Sequence, residues 1–227
     1  KNDIKLYNSI YSISYCIEAD FINFFSIDGI NKISSIRANI FEDYKFKFGY
    51  IGYSLALIHY FFIKKFNIVI AMHLEMQYQI KKHYHGEIKI INNFIEEDYL
   101  EKYRKIAINN KKSIELIFLG TLTNRKNPFS AINLTKLLNE KGYDTNLKIV
   151  GDGKLRIKLE EKVKELNLQK KIIFYGNIDE PYELLSLADI MIMPSFSEGT
   201  SRAMLEALFL GILCIGRTLK CNKELIK

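Results

Sequence analysis

Two carboxylates, Glu198 and Glu206, bracket the run Gly199-Thr200-Ser201-Arg202-Ala203-Met204-Leu205. A helix running from Arg202 to Leu210 puts Glu206 about two turns along, on the side of Gly199 and Arg202–Ala203, with Met204, Leu208 and Gly211 turned to the core. Gly199-Thr200-Ser201 leads into that helix. Unpaired backbone N–H groups and the positive end of the helix dipole are therefore available there to an anion or a polyol. One carboxylate at the mouth and one along the wall can hold two ends of a single polar ligand. The same spacing also fits a first-turn glutamate and a solvated helix glutamate that bind nothing. A second group of interest follows Gly120: in Thr121-Leu-Thr-Asn-Arg125-Lys126-Asn-Pro128 the preceding glycine allows close backbone approach, and Arg125 and Lys126 supply fixed positive charge.

These residues need a scaffold, and residues 113–227 provide the pattern of one. Apolar runs at Ile114–Leu119, Leu147–Val150, Ile172–Tyr175, Ile190–Met193 and Ile212–Ile215 are nearly continuous, and four of them end on glycine (Gly120, Gly151, Gly176, Gly216). Such runs suit strands of a parallel sheet covered on both faces. A helical period, clearest at Leu155, Leu159, Val163 and Leu166, alternates with them. The expectation is an α/β fold with a Rossmann-like parallel sheet. Ligands of such sheets bind beyond the carboxyl ends of the strands. That singles out the loops after Gly120, at Gly151-Asp-Gly153, at Gly176–Ile178, and from Pro194 to Glu206. Gly151-Asp-Gly153 alone is equally a tight turn.

Residues 1–110 read as part of a second α/β unit whose opening strands are missing. Short runs at Lys32–Ile36, Phe66–Ala71 and Glu87–Ile91 alternate with helical stretches at Ala19–Ile27, Tyr50–Lys65 and Leu74–His83. The polar Ile108–Lys112 is the expected linker, dividing a domain of residues 1–110 from one of residues 111–227.

Composition narrows the function classes. The chain has 227 residues, 48% of them apolar, and is far too apolar to be disordered. Its net charge of +7 divides into +4 for residues 1–112 and +3 for the rest, with no basic tail or block. A nucleic-acid surface would concentrate that charge on one element. Diffuse positive charge instead fits anionic small substrates or an anionic lipid surface. Cys16, Cys214 and Cys221 form no CxxC pair, which reads as a reducing compartment without structural disulfides. The opening KNDIKLYNS has neither the basic n-region nor the apolar run of a signal peptide, and none is expected there. The longest apolar stretch, Ile51 to Ile63, is broken by His59 and falls short of the roughly 20 residues a membrane span needs.

In order along residues 114–227, the segments FLGTLTNRKN, LKIVGDGKL, KIIFYGN, ADIMIMPSFSEGTSRAMLEALFLGILCI and NKELI resemble the retaining glycosyltransferases of the GT-B fold, family-four type. Glu198-x7-Glu206 fits that family's signature. ISSIRANIFEDYKFKFG and IKIINNFIEEDY resemble, more loosely, members that build bacterial surface polysaccharides. The resemblance implies a nucleotide-diphospho-sugar donor, a glycan or lipid-linked acceptor, and no bound metal. It puts Glu206 on the ribose hydroxyls and Glu198 near the transferred sugar, as the catalytic residue. Gly199, Thr200 and Ser201 serve the sugar and diphosphate, Lys126 with Arg125 the leaving diphosphate, and the Gly176–Ile178 loop borders the base. It also implies a cytoplasmic enzyme at the inner face of the cell membrane. The family often has Arg directly after the first glycine, where this chain has Thr121; Arg125 is the candidate substitute. An N-terminal segment and the closing helix region of the family are expected to be absent. That leaves a truncated, non-catalytic nucleotide-sugar-binding remnant as the alternative reading.

The remaining candidates read as structural. His73, His83 and His85 are expected in loops or on the surface, because no ligand set completes a metal site around them. Glu96-Glu97-Asp98 fits a solvated helix start. Arg37, after the Lys32–Ile36 run, is a cleft residue or a turn anchor. Tyr50–Lys65 reads as a core helix, with an interfacial membrane anchor as the alternative.

Overall fold

The computed structural model describes residues 11–26, 29–104 and 112–219. Two compact units divide the chain. The first runs to Asn93 and takes in Ser197–Thr200; the second comprises Phe94–Phe196 and Ser201–Leu219. Residues 108–111 of the expected linker, Cys221 and the NKELI segment lie outside the described residues, while Cys16 and Cys214 are free thiols.

The first unit is a four-stranded parallel sheet in the order β1-β2-β3-β4, made of β1 (Tyr11–Ser14), β2 (Asn31–Ser35), β3 (Ile68–Ala71) and β4 (Glu87–Ile90). Helices α1 (Ile17–Phe24), α2 (Ile40–Phe48), α3 (Gly52–Ile63) and α4 (Leu74–Lys81) join the strands. β1 and α2 were not among the elements expected from the sequence. Asn39 starts α2 by accepting the backbone N–H groups of Phe41 and Glu42 on its side chain, and Gly49 stops it with a φ of +62°. The chain then turns straight into α3. A Cβ on Gly52 would stand 2.3 Å from the Tyr44 carbonyl oxygen, so only glycine lets the two helices approach this closely.

α3 meets the expectation of a core helix over Tyr50–Lys65 on one face only. Ala56, Tyr60 and Ile63 are buried with Val69, Met76 and Tyr84. The opposite stripe, at the i, i+3, i+7, i+11 spacing, is open: Tyr50, Tyr53, Leu57 and Phe61 are all exposed, Tyr50 completely. Burial of one stripe alone is enough to hold a helix of three turns on a sheet.

The second unit is a five-stranded parallel sheet in the order β7-β6-β5-β8-β9. Its strands are β5 (Ile114–Leu119), β6 (Thr145–Val150), β7 (Ile172–Gly176), β8 (Ile190–Met193) and β9 (Leu213–Gly216). Four of them lie within a residue or two of the apolar runs and β6 begins earlier, at Thr145. Helices α5 (Glu97–Glu101), α6 (Pro128–Glu140), α7 (Arg156–Glu165), α8 (Tyr182–Ser186) and α9 (Arg202–Phe209) accompany them. Ile117 and Met191, paired in register across β5 and β8, are fully buried, and so are Leu147 and Ile149 of β6 apart from a trace of exposure. This is the double coverage that continuous apolar strands require. Gly151 and Gly153 are fixed by packing. A Cβ on Gly151 would lie 2.1 Å from the Gly120 carbonyl oxygen, and one on Gly153 would lie 2.6 Å from that of Leu122. Among the described residues no helix is long and apolar enough to cross a membrane.

Candidate active site

In the second unit the strand order reverses between β5 and β8, so the crevice of this sheet opens beyond their carboxyl ends. The two loops there are tied together. Phe196 donates its backbone N–H to the Arg125 carbonyl (2.8 Å), and the Asn127 amide donates to the Pro194 carbonyl (3.3 Å). Asn127 holds a φ of +52°, a conformation asparagine tolerates, and Pro128 then starts α6. The loop folds Lys126 back over Gly120: a Cβ on that glycine would stand 3.9 Å from Nζ. A primary ammonium is thereby held at the tip of β5, while Thr121 beside it is exposed. Fully buried at the tip of β8 is Ser195, whose hydroxyl has no hydrogen-bond partner among the described residues.

Ser201 caps α9, its hydroxyl oxygen accepting the Met204 N–H at 3.3 Å. One of the helix-start amides expected to be open is thus already satisfied, while the hydroxyl keeps its proton for a ligand oxygen. Glu206, on the next turns, is buried rather than solvated, at 7% exposure. Tyr182 of α8 donates its hydroxyl to Oε1 at 3.5 Å, and Arg202 approaches the same oxygen at 3.5 Å. Burial raises the Glu206 carboxyl above the usual carboxylate range, with Arg202 and Tyr182 opposing it. Both contacts are long, and a vicinal diol could engage the carboxylate without breaking a tight bond. Met204 faces the core as expected; Leu208, expected there too, is exposed.

Glu198, Gly199 and Thr200 belong to the first unit. Gly199 is buried against the loop after β2, where a Cβ would meet the Arg37 carbonyl oxygen at 2.2 Å and the Met72 sulfur at 3.2 Å. Thr200 accepts a hydrogen bond on its carbonyl from the Asn93 side chain (3.0 Å). Arg37 itself donates through Nη2 to Asn93 Oδ1 (3.0 Å) and lies over the Tyr15 ring.

A cleft of about 170 Å³ lies within the first unit, at the carboxyl ends of β1 and β2; its lining includes Tyr15, Glu18, Arg37, Lys47 and His59. Its floor is a polar chain that the sequence did not reveal. Tyr44 Oη meets His59 Nδ1 at 2.9 Å, and His59 Nε2 meets Asp20 Oδ2 at 2.6 Å. Asp20 also accepts the hydroxyls of Ser34 (2.9 Å) and Ser14. Asp20, His59 and Tyr44 are each at least nine-tenths buried. The only outward signal of the network was a histidine interrupting an apolar helix. His73, expected in a loop or on the surface, lies in the connection between β3 and α4 but is buried, and its Nδ1 caps α4 by accepting the Met76 N–H at 3.3 Å. Among the described residues no three His, Cys, Asp or Glu side chains group as a metal site would need.

The doubly wound sheet of the second unit carries a basic, hydroxyl-bearing crevice at its switch point, the place where open α/β sheets receive ligands. The family model described as glycosyl transferases group 1 matches residues 100–227, and the chain belongs to that family, with the GT-B fold. An uncharacterized glycosyltransferase of Methanocaldococcus jannaschii is 30% identical over 197 residues, which are 82% of this chain and 47% of that protein. The Escherichia coli UDP-Gal:alpha-D-GlcNAc-diphosphoundecaprenol alpha-1,3-galactosyltransferase is 30% identical over 126 residues, 54% of this chain and 33% of that enzyme. The chain therefore spans less than half the length of these relatives. Among solved structures, Anabaena HepE in complex with UDP superposes with a TM-score of 0.77 at 14% identity, covering 100% of this chain and 65% of that one.

Proposed function

We propose that the chain carries out hexosyl transfer from a nucleotide-diphospho-sugar to a glycan or lipid-linked acceptor, with retention of configuration. The observation that carries this reading is Lys126, folded over Gly120 at the switch point of the second unit's sheet. A diphosphate placed there meets a fixed cation together with backbone N–H groups, and such preorganised charge is what a departing diphosphate needs. Arg125, in the same turn, adds to it, and this electrostatic set takes the place of a metal. Glu206 accepts the ribose hydroxyls. Ser201 offers its hydroxyl, and Gly199 and Thr200 their backbone, to the sugar and diphosphate, while Glu198 serves the transferred sugar near its anomeric carbon. The Gly176–Ile178 loop borders the base.

In the transfer, the acceptor hydroxyl forms its bond to the anomeric carbon on the face the diphosphate leaves. The carbon–oxygen bond to the diphosphate breaks, and the hydroxyl proton passes to the departing phosphate oxygen. No protein nucleophile takes part. UDP in the HepE complex and the diphosphoundecaprenol acceptor named for the E. coli relative support a nucleotide-sugar donor and a lipid-linked acceptor. We further propose that the protein works at the inner face of the cell membrane. The exposed stripe Tyr50, Tyr53, Leu57 and Phe61, followed by exposed Lys64 and Lys65, supports contact with anionic lipid.

Saturation-transfer NMR against a panel of nucleotide sugars tests the donor assignment, and Glu206→Ala is expected to abolish the signal. Undiminished binding in that variant would remove Glu206 from the site. Binding without transfer to any acceptor would reduce the chain to a nucleotide-sugar-binding role.

A further inference from the structure

Three successive loops of the first unit, each just beyond the carboxyl end of a parallel strand, converge on Gly199 and Thr200. Arg37 follows β2, Met72 follows β3 and Asn93 follows β4. Ligands of open parallel sheets settle in this position, and here part of it is filled by the chain's own loop. Asn93 is the centre of the arrangement. Its amide nitrogen donates to the Thr200 carbonyl and its amide oxygen accepts from Arg37 Nη2, both at 3.0 Å. A carboxamide is among the few side chains that can do both at once; an aspartate at the same place could accept from Arg37 but would turn a second oxygen on the Thr200 carbonyl. Gly199 completes the fit from the other side, since its missing Cβ is what leaves room for the Arg37 carbonyl oxygen.

We propose that Asn93 is a positioning residue that holds the Glu198–Thr200 loop in its working conformation. The proposal rests on the reading of that loop as the sugar-facing segment, but its structural part can be tested without it. Arg37 becomes the second member of the clamp and more than a turn anchor, because its guanidinium orients the Asn93 amide while its own carbonyl seats Gly199. A residue acting this way should govern the rate of transfer more than donor binding, because the loop it holds orients the transferred sugar while Lys126, Arg125 and Glu206 hold the rest of the donor.

The test uses three variants of the full chain. Asn93→Asp keeps size and the Arg37 contact but removes the donor to Thr200; Asn93→Ala removes both contacts; Gly199→Ala drives the loop off the Arg37 carbonyl without touching Asn93. ¹⁵N relaxation is expected to show Gly199 and Thr200 amides ordered in the parent, with order parameters near about 0.85, and below about 0.6 in all three variants. Amide shifts in β1 to β4 should stay in place. Unchanged order in Asn93→Asp and Gly199→Ala overturns the clamp. The functional arm measures donor affinity and turnover separately: Asn93→Asp is expected to lower turnover by about 10- to 100-fold with donor affinity within about twofold. Equal losses in both would mark a merely structural role and overturn the positioning assignment. A parent chain that binds no nucleotide sugar overturns the proposed function, and the relaxation data then decide the clamp by themselves.

Discussion

Glu206 carries a carboxylate in surroundings that favour the neutral acid. Its folded-state pKa is raised by burial, so the native protein binds one more proton than the unfolded chain between the two pKa values. Stability therefore increases as pH falls through that window, and at neutral pH the ionised group is a burden. Glu206→Gln should raise the melting temperature at pH 7 by about 2 °C and flatten its dependence on mild acid, while weakening nucleotide-sugar binding by about tenfold or more. Calorimetry from pH 4 to 8 with parallel binding titrations checks both. Asp20 is instead fixed by hydrogen bonding, in a satisfied network with His59, Ser34 and Ser14. Removing one member strands the others, so Asp20→Asn should cost about 3 kcal/mol in denaturant unfolding. Replacing Asp20 and His59 together by leucine should cost less than the two single changes summed. Residue-level legibility divides along the same line. Glu198, Glu206 and Lys126 stood out because their partners in the argument are near in sequence or fixed by a strand end. Asp20, His59 and Tyr44 are 15 to 39 residues apart in their contacts, and no local period announces a hydrogen bond of that kind.

Among the elements, the second unit was the more legible. Its strands are buried on both faces, so hydrophobic content alone marks them, and glycines mark their ends. In the first unit β1 reads Tyr-Ser-Ile-Ser, with Tyr11 and Ile13 exposed and Ser14 drawn into the Asp20 network, which hides the apolar signal. α2 carries Ile-Phe-Glu-Asp-Tyr-Lys-Phe-Lys-Phe, whose alternation of aromatic and charged residues mimics a strand, while Asn39 and Gly49 at its ends fix it as a helix. The glycine loops of the second unit give a sharper test of element geometry. Gly151→Ala adds a methyl 2.1 Å from the Gly120 carbonyl oxygen at a φ of +127°. It is expected to destabilise the second unit by about 3 kcal/mol, seen as a lowered urea midpoint, and to displace Lys126 with the Gly120 loop. Gly142→Ala is the control: its φ of +88° is strained but no atom of the described residues lies within 4 Å of the added methyl, so the loss there should stay at about 1 kcal/mol, the level of a left-handed backbone alone.

For the molecule as a whole, the proposed lipid contact draws on the diffuse +7 and on the open aromatic stripe that Tyr50 begins and α3 continues. The expectation of a core helix held for one face only, because hydrophobicity around a helix does not say how many sides have partners. Tyr, Phe and Leu bounded by Lys64 and Lys65 are the residues that settle at a headgroup boundary. Replacing Tyr50, Tyr53 and Phe61 together by serine should lower cosedimentation with vesicles of roughly one-third anionic lipid by about tenfold, with donor binding unchanged. Equal retention of parent and variant would separate the stripe from any membrane role.

The backbone contact between Gly151 and Gly120 also constrains how this sequence can vary. Every amino acid other than glycine brings a Cβ, so each missense change at codon 151 places the same atom against the same carbonyl oxygen. The position offers no graded series of milder neighbours through which variants could drift. In a saturation library it should appear as an all-or-none column, with glycine alone retained, beside positions such as exposed Thr121 where many residues survive.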